Sequence, residues 1–543
     1  MGAAGAVAVA TAAAVSASGG DDVRLTSVPT ANTRAAGYAP ANRLSPELQQ
    51  IVWAQGSTKL ENPSGIITNY GYENDVPSAD DPSVPQMTPI GGKEAQKTEP
   101  DKNTYLVFKD GLAGADGSYP YGTHFLFQGH EGAALDAQGR KLGYITRINL
   151  DADSAHRVTL LATQDSAGKP LATIDGSTWD PWAGKLVFTT ESAGAPTYQA
   201  TPGYPSTVDD ISGSIGRGGY EGIQNDSDGN LWILEDIGGS NKPGGTAKHP
   251  NSYVFRFVPR SPNDLTSGRL EALQVLDANK QPITWDSLTP LNSAPGVALH
   301  TYGKEFDTRW VTVHDTSVQG NASFNANDRA KAAGATPFKR PENGLFRPGS
   351  HFQDLFFDET GDTNATSPEN GDPVTGAGGS GGWGSIMKLS QQNPSAQTGK
   401  LTLFFAGTRA VSGLDNVAWL SDDQITFVED AGETLHGQRN ALDSGWVFDA
   451  DTDYSRATSQ PVRWIAQGRD ASATIDAANG GFGKNDQDNE LTGATVSDGD
   501  PGEMGILGQK KPKLFNGDGK WRWFYTQQHG DNVTYEVIDS RAK

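Results

Sequence analysis

Acidic residues recur along this chain in an order that a chemistry of clustered cations would use. Asp175-Gly176 precedes the apolar run Lys185-Leu-Val-Phe188 and then Glu191. Glu221-Gly222 precedes Asn230-Leu-Trp-Ile-Leu234 and then Glu235-Asp236. Glu342-Asn343-Gly344 precedes Leu355-Phe-Phe357 and Asp358-Glu359, and Asp415-Asn416 precedes Gln424-Ile-Thr-Phe-Val428 and Glu429-Asp430. The two acids of a unit stand 16, 14, 16 and 14 positions apart. Two weaker copies flank these four: His130-Glu131 early, and Glu490-Leu-Thr-Gly493 with Trp523-Phe-Tyr-Thr-Gln-Gln-His529 late.

Each unit reads as an acid with a small neighbour, a strand, a turn, a second strand and a closing acid. Six strand-rich repeats predict an all-β fold of blades about one axis, in which equivalent positions converge on a central channel. Carboxylates gathered there repel one another unless cations sit between them. The alternative is that the acids are turn residues facing water, as Asp-Gly and Asp-Asn pairs often are.

Outside the repeats, residues 1–45 read as a signal-like segment and linker, with an Ala, Gly and Val-rich start from Met1 to Ala17. The stretch Asn74 to Lys102 reads as an irregular excursion, with strands opening at Tyr105-Leu-Val-Phe108. Thr360 to Gly382 and Asp470 to Asn489 read as loop-like inserts. Asp449-Ala-Asp451-Thr-Asp453 alternates oxygens but lacks the later glycine and glutamate of an EF-hand loop, so a solvated turn is expected. Asn225-Asp-Ser-Asp-Gly229 is read as a hairpin turn, and His314 and His351 as structural.

The 543 residues carry a net charge of −22, which disfavours nucleic acid as a partner. With no cysteine, disulfides, thiolate metal sites and cysteine catalysis are excluded, and life outside the reducing cytosol is mildly favoured. No stretch reaches the ~20 apolar residues needed to span a bilayer. No Walker loop, dinucleotide fingerprint or Gly-x-Ser-x-Gly elbow is present.

The repeat residues resemble the motifs of the PhoX family of exported bacterial phosphatases. Gly216-Arg-Gly-Gly-Tyr-Glu-Gly222 is similar to that family's Gly-Arg-Phe-x-His-Glu, and Phe338-Lys-Arg-Pro-Glu342 to its Phe-x-Arg-Pro-Glu. Gly129-His-Glu131, Asp175 to Glu191, Asp415-Asn416, Glu490-Leu-Thr-Gly493 and Gln528-His529 follow in family order. The resemblance spans roughly residues 105–529. It implies a six-bladed β-propeller over residues 46–543, with a calcium and iron cluster that hydrolyses phosphate monoesters. Catalysis falls to Arg340, which holds the substrate phosphate, and to Glu221 as a ligand of the cluster. Asp175, Glu342, Asp415, Glu131 and Glu490 complete the expected ligands.

Three positions depart from the family pattern. Asp175 stands near the family's cysteine ligand, Gly129 replaces an asparagine that helps hold phosphate, and Tyr220 replaces a histidine. A carboxylate is a harder ligand than a thiolate. The sequence therefore predicts a secreted or periplasmic monomeric phosphatase acting on a small phosphate ester. A calcium-dependent lactonase or phosphodiesterase, or a non-catalytic calcium-stabilised propeller, stays open beside it.

Overall fold

The structure, a computed structural model, describes residues 23–34, 41–64, 67–71, 98–131, 142–285, 289–468, 490–497, 499, 501–502, 522–528 and 532–540. The chain is all-β, as expected, and short helices appear only in its connections. Two strands come first, β1 (Arg43–Leu44) and β2 (Leu48–Ala54). A first antiparallel sheet follows: β3 (Pro100–Val107), β4 (His124–His130), β5 (Tyr144–Asn149) and β6 (Val158–Ala162). A second contains β7 (Ser177–Asp180), β8 (Lys185–Phe188), β9 (Tyr198–Ala200) and β10 (Val208–Asp210).

The third unit comprises β11 (Tyr220–Asn225), β12 (Leu231–Glu235), β13 (Val254–Ser261) and β14 (Asp264–Val275). After β15 (Glu305–Asp315), the fourth comprises β16 (Gly344–Phe346), β17 (Asp354–Glu359), β18 (Ser385–Gln391) and β19 (Thr398–Ala406). Strand β15 pairs with β14 on one edge and β19 on the other, fusing these two units into a nine-stranded sheet. The fifth unit is β20 (Leu414–Trp419), β21 (Gln424–Glu429), β22 (Ser444–Asp449) and β23 (Val462–Ala466), with β1 on its outer edge. The sixth is β24 (Glu490–Ser497), β25 (Arg522–Gln528) and β26 (Val533–Asp539), completed by β2 from the start of the chain.

The first strand of each unit touches the first strand of the next, from β3 through β7, β11, β16, β20 and β24 back to β3. Apolar clusters fill the wedges between neighbours. Phe125, Phe127 and Leu171 meet Leu186 and Phe188 between the first two units. Trp419, Phe427 and Phe448 meet Phe356, Ile386 and Phe405 between the fourth and fifth. Trp464 meets Trp523 and Tyr525 between the fifth and sixth, and Phe524 packs against Tyr105 and Leu126 where the ring closes. Because both faces of these strands are covered, runs such as Leu-Trp-Ile-Leu in β12 are apolar throughout rather than alternating. Each such large side chain stabilises the fold by about 1.5–3 kcal/mol relative to exposure.

Two boundaries differ from the sequence reading. The signal-like Met1–Ala17 lies outside the described residues, but the expected linker does not stay a linker. Leu25 is buried in the cluster between the fifth and sixth units, Val28 is buried with its N–H bonded to Arg463 O, and Arg43–Leu44 pairs with β23. Likewise the excursion beginning at Asn74 ends earlier than Lys102. Pro100 already pairs with His130, because an edge of β4 is there to receive it. Asp470 to Asn489 and His529 lie outside the described residues.

Candidate metal centre

The innermost strands carry a shared irregularity. Register shifts fall between Pro100 and Asn103 in β3, Tyr220 and Ile223 in β11, and Leu414 and Val417 in β20. Two residues there oppose one on the partner strand, which turns the bulged side chains toward the channel. Those residues are Asp101-Lys102, Glu221-Gly222 and Asp415-Asn416. The same backbone bond recurs beside each: Glu131 N–H to Glu99 O (3.0 Å), Asp236 N–H to Gly219 O (2.7 Å) and Asp430 N–H to Gly413 O (2.7 Å). In the fourth unit Thr360 N–H donates to Arg340 O (2.8 Å), which places Glu342 in register with the others.

The ring that results contains most of the residues predicted from sequence. Ligand atoms of Asp101, Glu131 and Asp175 lie within 4.8 Å of one another, as do those of Glu191, Glu221 and Asp236, and those of Glu221, Glu342 and Asp415. Glu221 is common to two of these groups. Asp175, Glu221, Glu342, Asp415 and Glu131 are thus brought together from five different units, not scattered on the rim as turn residues. Glu490 opens β24 and its charge acts on Glu131, but it is in none of the three groups. Register explains this. Leu491 opposite Gln527 matches Leu414 opposite Glu429, so Thr492 holds the ring position in the sixth unit.

Hydrogen bonds link the ring members. Asn343 Nδ2 donates to Glu221 Oε1 and to Asp415 Oδ1, both at 3.0 Å. Asn416 Nδ2 donates to Asp415 Oδ1 (2.8 Å) and Thr492 Oγ1 (2.9 Å), and Thr492 Oγ1 donates to Asp101 Oδ1 (2.6 Å). Gln528 Nε2 donates to Asp101 Oδ2 (2.6 Å). Thr360 donates its hydroxyl to Glu342.

Arg340 stands at the rim of this ring. Its Nε lies 3.0 Å from both carboxylate oxygens of Asp236, and Nη2 lies 2.6 Å from Glu342 Oε1 and 3.9 Å from Asp430 Oδ2. Its backbone is left-handed, with φ 58°, where the corresponding residues of the third and fifth units are Gly219 and Gly413. A side chain in that conformation costs about 1–2 kcal/mol, and such strain concentrates at functional positions.

Burial dominates the electrostatics. Away from water, and facing one another, Glu131, Asp175, Glu221, Glu342 and Asp358 are held well above the usual carboxylate range. Burial also lifts Asp101 and Glu191 to about 7 and Asp415 to about 6. Arg340 loses hydration too, but Asp236, Glu342, Asp430 and Glu191 keep its guanidinium firmly charged. Among the described residues, the buried oxygens Asp175 Oδ1, Asp358 Oδ2, Asn416 Oδ1 and Gln528 Oε1 accept no hydrogen bond. An orphaned buried acceptor costs about 1–3 kcal/mol. The three groups are all-oxygen donor sets without histidine or cysteine, which fit hard cations.

Several ring members were not legible in the repeat. Asp101 was read as the end of an irregular segment, because a long connection between β3 and β4 breaks the spacing that marks the other units. Glu131 therefore looked like an opening acid, whereas it closes the first unit as Asp236 and Asp430 close theirs. Glu191 and Asp236 were recognised as closing acids without a role. For Asp236 the signal is its place just past the buried Glu235 at the end of the second strand, whereas Glu191 follows Thr190 and has no such mark.

The departures from the family motifs also have physical causes. A Cβ on Gly129 would meet Ile174 Cγ2 at 2.1 Å, so no amide side chain fits there. Tyr220 points away from the ring, its hydroxyl donating to Ile215 O (3.0 Å). His130 is wedged between Thr98 O and Thr146 Oγ1, and burial depresses it to about 3, so it is a neutral structural group. Asp451 pairs with Arg347 and Asp453 binds Ser455 and Arg456, as in a solvated turn. Asp226 accepts the N–H groups of Asp228 and Asn230 and closes its hairpin.

An all-β ring of sheets around a buried, oxygen-rich carboxylate centre is the class that fold and site define. Residues 245–500 match the family described as alkaline phosphatase PhoX, a span that includes Arg340, Glu342 and Asp415. The resemblance drawn from the motifs is therefore borne out. The chain shares its fold with Pseudomonas fluorescens PhoX, solved in complex with vanadate, a transition state analogue. Identity is 11%, coverage 94% of this chain and 98% of that one, and the TM-score 0.56. A GH43_1 enzyme from Xanthomonas citri is 13% identical over 65% of this chain and 87% of its own, with a TM-score of 0.28, too low to bear on fold or function. No curated protein matches the sequence.

Proposed function

We propose that this chain is an exported, metal-dependent phosphatase that hydrolyses phosphate monoesters at a cation cluster in the channel of a six-bladed β-propeller. The six units, their closed ring of contacts and the wedge-filling clusters support the propeller as a single domain that takes in the packed segment from Leu25 onward. The observation that carries the function is the linkage of carboxylate groups through Glu221, with the guanidinium of Arg340 held at their edge. A PhoX protein as neighbour in fold, solved with vanadate, a transition state analogue, together with the match to the alkaline phosphatase PhoX family, supports the same reaction class.

In this reading Asp175, Glu221, Glu342, Asp415 and Glu131 hold the cations, with Asp101, Glu191 and Asp236 beside them. Calcium is the first candidate because every donor is oxygen, and iron shares the carboxylates without a thiolate. Bound cations supply charge neutralisation at phosphate oxygens and lower the pKa of bound water. The protein's own work is binding and orientation. Asp236 and Glu342 fix the planar fork of Arg340, whose side chain keeps 20% of its surface accessible for a phosphate to reach. The surrounding acids keep that fork charged at every working pH.

Lack of cysteine and the apolar start at Met1 support export. Among the described residues no helix is long and apolar enough to cross a membrane. The loss of a donor at Gly129 and the carboxylate at Asp175 favour, as a second reading, a diesterase or lactonase on the same cations. Purified protein assayed with p-nitrophenyl phosphate, a phosphodiester and a lactone, with and without chelator, separates the two. Chelator-sensitive monoester turnover with calcium found by elemental analysis is expected. Stable metal content without monoester turnover would remove the phosphatase.

A further inference from the structure

The connection between β17 and β18, residues 360–384, contains one of the loop-like inserts marked in the sequence. It is moored to the units on either side of its own. Glu369 accepts the N–H groups of Thr246 (3.0 Å) and Ala247 (3.1 Å) and pairs with Lys242 (2.7 Å), all between β12 and β13 of the third unit. From the fifth unit, Gln438 Nε2 donates to Thr363 O (3.2 Å).

The first residues of the insert reach the segment that carries Arg340. Gly361 N–H donates to Lys339 O (3.1 Å), next to the bond from Thr360 N–H to Arg340 O. Lys339 is buried, and its Nζ donates to Asn370 Oδ1 (2.5 Å) and lies 3.5 Å from Asp362 Oδ2. That same Asp362 oxygen accepts Asn370 Nδ2 (2.9 Å) and Lys248 N–H (2.8 Å). One buried carboxylate thus ties together the insert, the third-unit connection and the residue before Arg340.

The fifth unit shows what this arrangement adds. Ser412 occupies the place of Lys339 there: its N–H meets Glu429 Oε1 (3.1 Å) as Lys339 N–H meets Glu359 Oε1 (2.8 Å). Ser412 precedes Gly413, which adopts its φ of 63° without a side chain to strain. Lys339 precedes a side chain in the same conformation, and a strained backbone persists only where its surroundings over-determine it. Asp236 and Glu342 hold the guanidinium end of Arg340, and the insert holds the backbone end.

We infer that Asp362 is a positioning residue for Arg340: through Lys339 it fixes the backbone from which the guanidinium reaches toward a phosphate. This role rests on the reading of Arg340 as the phosphate-holding group and deepens it. A carboxylate that only fastened the insert would affect stability, and its loss would be felt equally whether or not Arg340 is present. One that positions Arg340 has no kinetic effect left once that side chain is removed.

Asp362→Ala, Asp362→Asn and Lys339→Met are compared with wild type, each alone and combined with Arg340→Ala. Asp362→Ala should raise both KM for p-nitrophenyl phosphate and the inhibition constant of inorganic phosphate about tenfold, with metal content unchanged. In the Arg340→Ala background it should change neither by more than about twofold. Asp362→Asn keeps an acceptor for Lys248 N–H and should recover most of the loss. Lys339→Met removes the ammonium but keeps the bonds of Asp362 to Lys248 and Asn370. It should repeat the rise in KM, and it serves if Asp362→Ala does not fold. An equal loss in the presence and absence of Arg340, or wild-type kinetics in both single variants, would overturn the inference. A readout without turnover is the Arg340 Nε–H signal of protein carrying isotope-labelled arginine, assigned by its loss in Arg340→Ala. Its hydrogen exchange should quicken about tenfold or more in Asp362→Ala, and unchanged exchange would also overturn the role. Faster exchange in a chain that hydrolyses no monoester would instead strike the phosphatase reading and leave the positioning role standing.

Discussion

Asp358 and Glu359 are neighbours near the end of β17, both fully buried, and their carboxylates behave in opposite ways. Glu359 points away from the channel. Its Oε1 accepts Lys339 N–H (2.8 Å), and its Oε2 meets Ser385 Oγ (2.6 Å) and His300 Nε2 (2.8 Å). Burial pushes this carboxyl up, but His300, Lys339 and Ser385 bring it below its ordinary range. Asp358 points inward. One oxygen accepts the N–H groups of Glu342 and Asn343, the other accepts none, and burial beside Asp415 holds it well above the usual range.

Glu429 repeats the outward hydrogen bonding with Ser412, Ser444, Trp446 and Arg439, although burial still raises its carboxyl. Alternation along a strand thus separates acids that fasten the sheets from acids that wait for cations. Burial is equal for Asp358 and Glu359, and what differs between these two is the supply of donors.

The sharpest break of this comparison is Glu221→Gln, because Glu221 belongs to two of the inward groups. It should lose bound metal and chelator-sensitive turnover together, and unchanged elemental content would show that the inward acids do not act as ligands. Next, Arg340→Ala should lower kcat/KM for a monoester by about 10²–10³-fold while leaving metal content near wild type. Similar kinetics in the variant would move phosphate binding elsewhere. On the outward face, Glu359→Ala should cost about 3–5 kcal/mol of stability, by stranding buried partners. Denaturant unfolding would measure it, with metal content per folded chain unchanged.

The outward face also predicts a pH dependence. Glu359 has a folded pKa below its ordinary 4.5, so its contribution is present above that value and fades as pH falls through the folded one. The Tm difference between wild type and Glu359→Gln should therefore be largest at neutral pH and shrink in acid. A difference that grows on acidification would contradict the pairing. The smallest effect concerns the left-handed backbone at Arg340. Arg340→Gly should be about 1 kcal/mol more stable than Arg340→Ala, although both lose turnover.

Much of this was legible in the sequence because the repeat is written in residue types that strands and bulges demand. Asp175, Glu221, Glu342 and Asp415 could be found from spacing, since the turn between the first two strands is short in those units. Asp101 could not, because an extended connection separates it from Glu131 and a Pro-rich flank disguised its strand. Glu490 was drawn in by its acidic type, whereas register gives the place to Thr492, a hydroxyl that sequence pattern alone does not mark. Lys102 was invisible for a different reason. A lone lysine reads as solvated until the fold shows it buried, with its ammonium on Val417 O and Ala494 O.

Closure of the ring has a consequence for how the polypeptide matures. Strand β2 precedes the strands of all six units in the chain, yet among the described residues it is paired only with β26. A nascent chain therefore has a seam that stays open until β26 has been made, with Tyr525 and Trp523 awaiting their cover. Moving β2 to follow β26 in the chain would make that pairing local, so that closure of the ring no longer waits on a partner from a distant part of the chain.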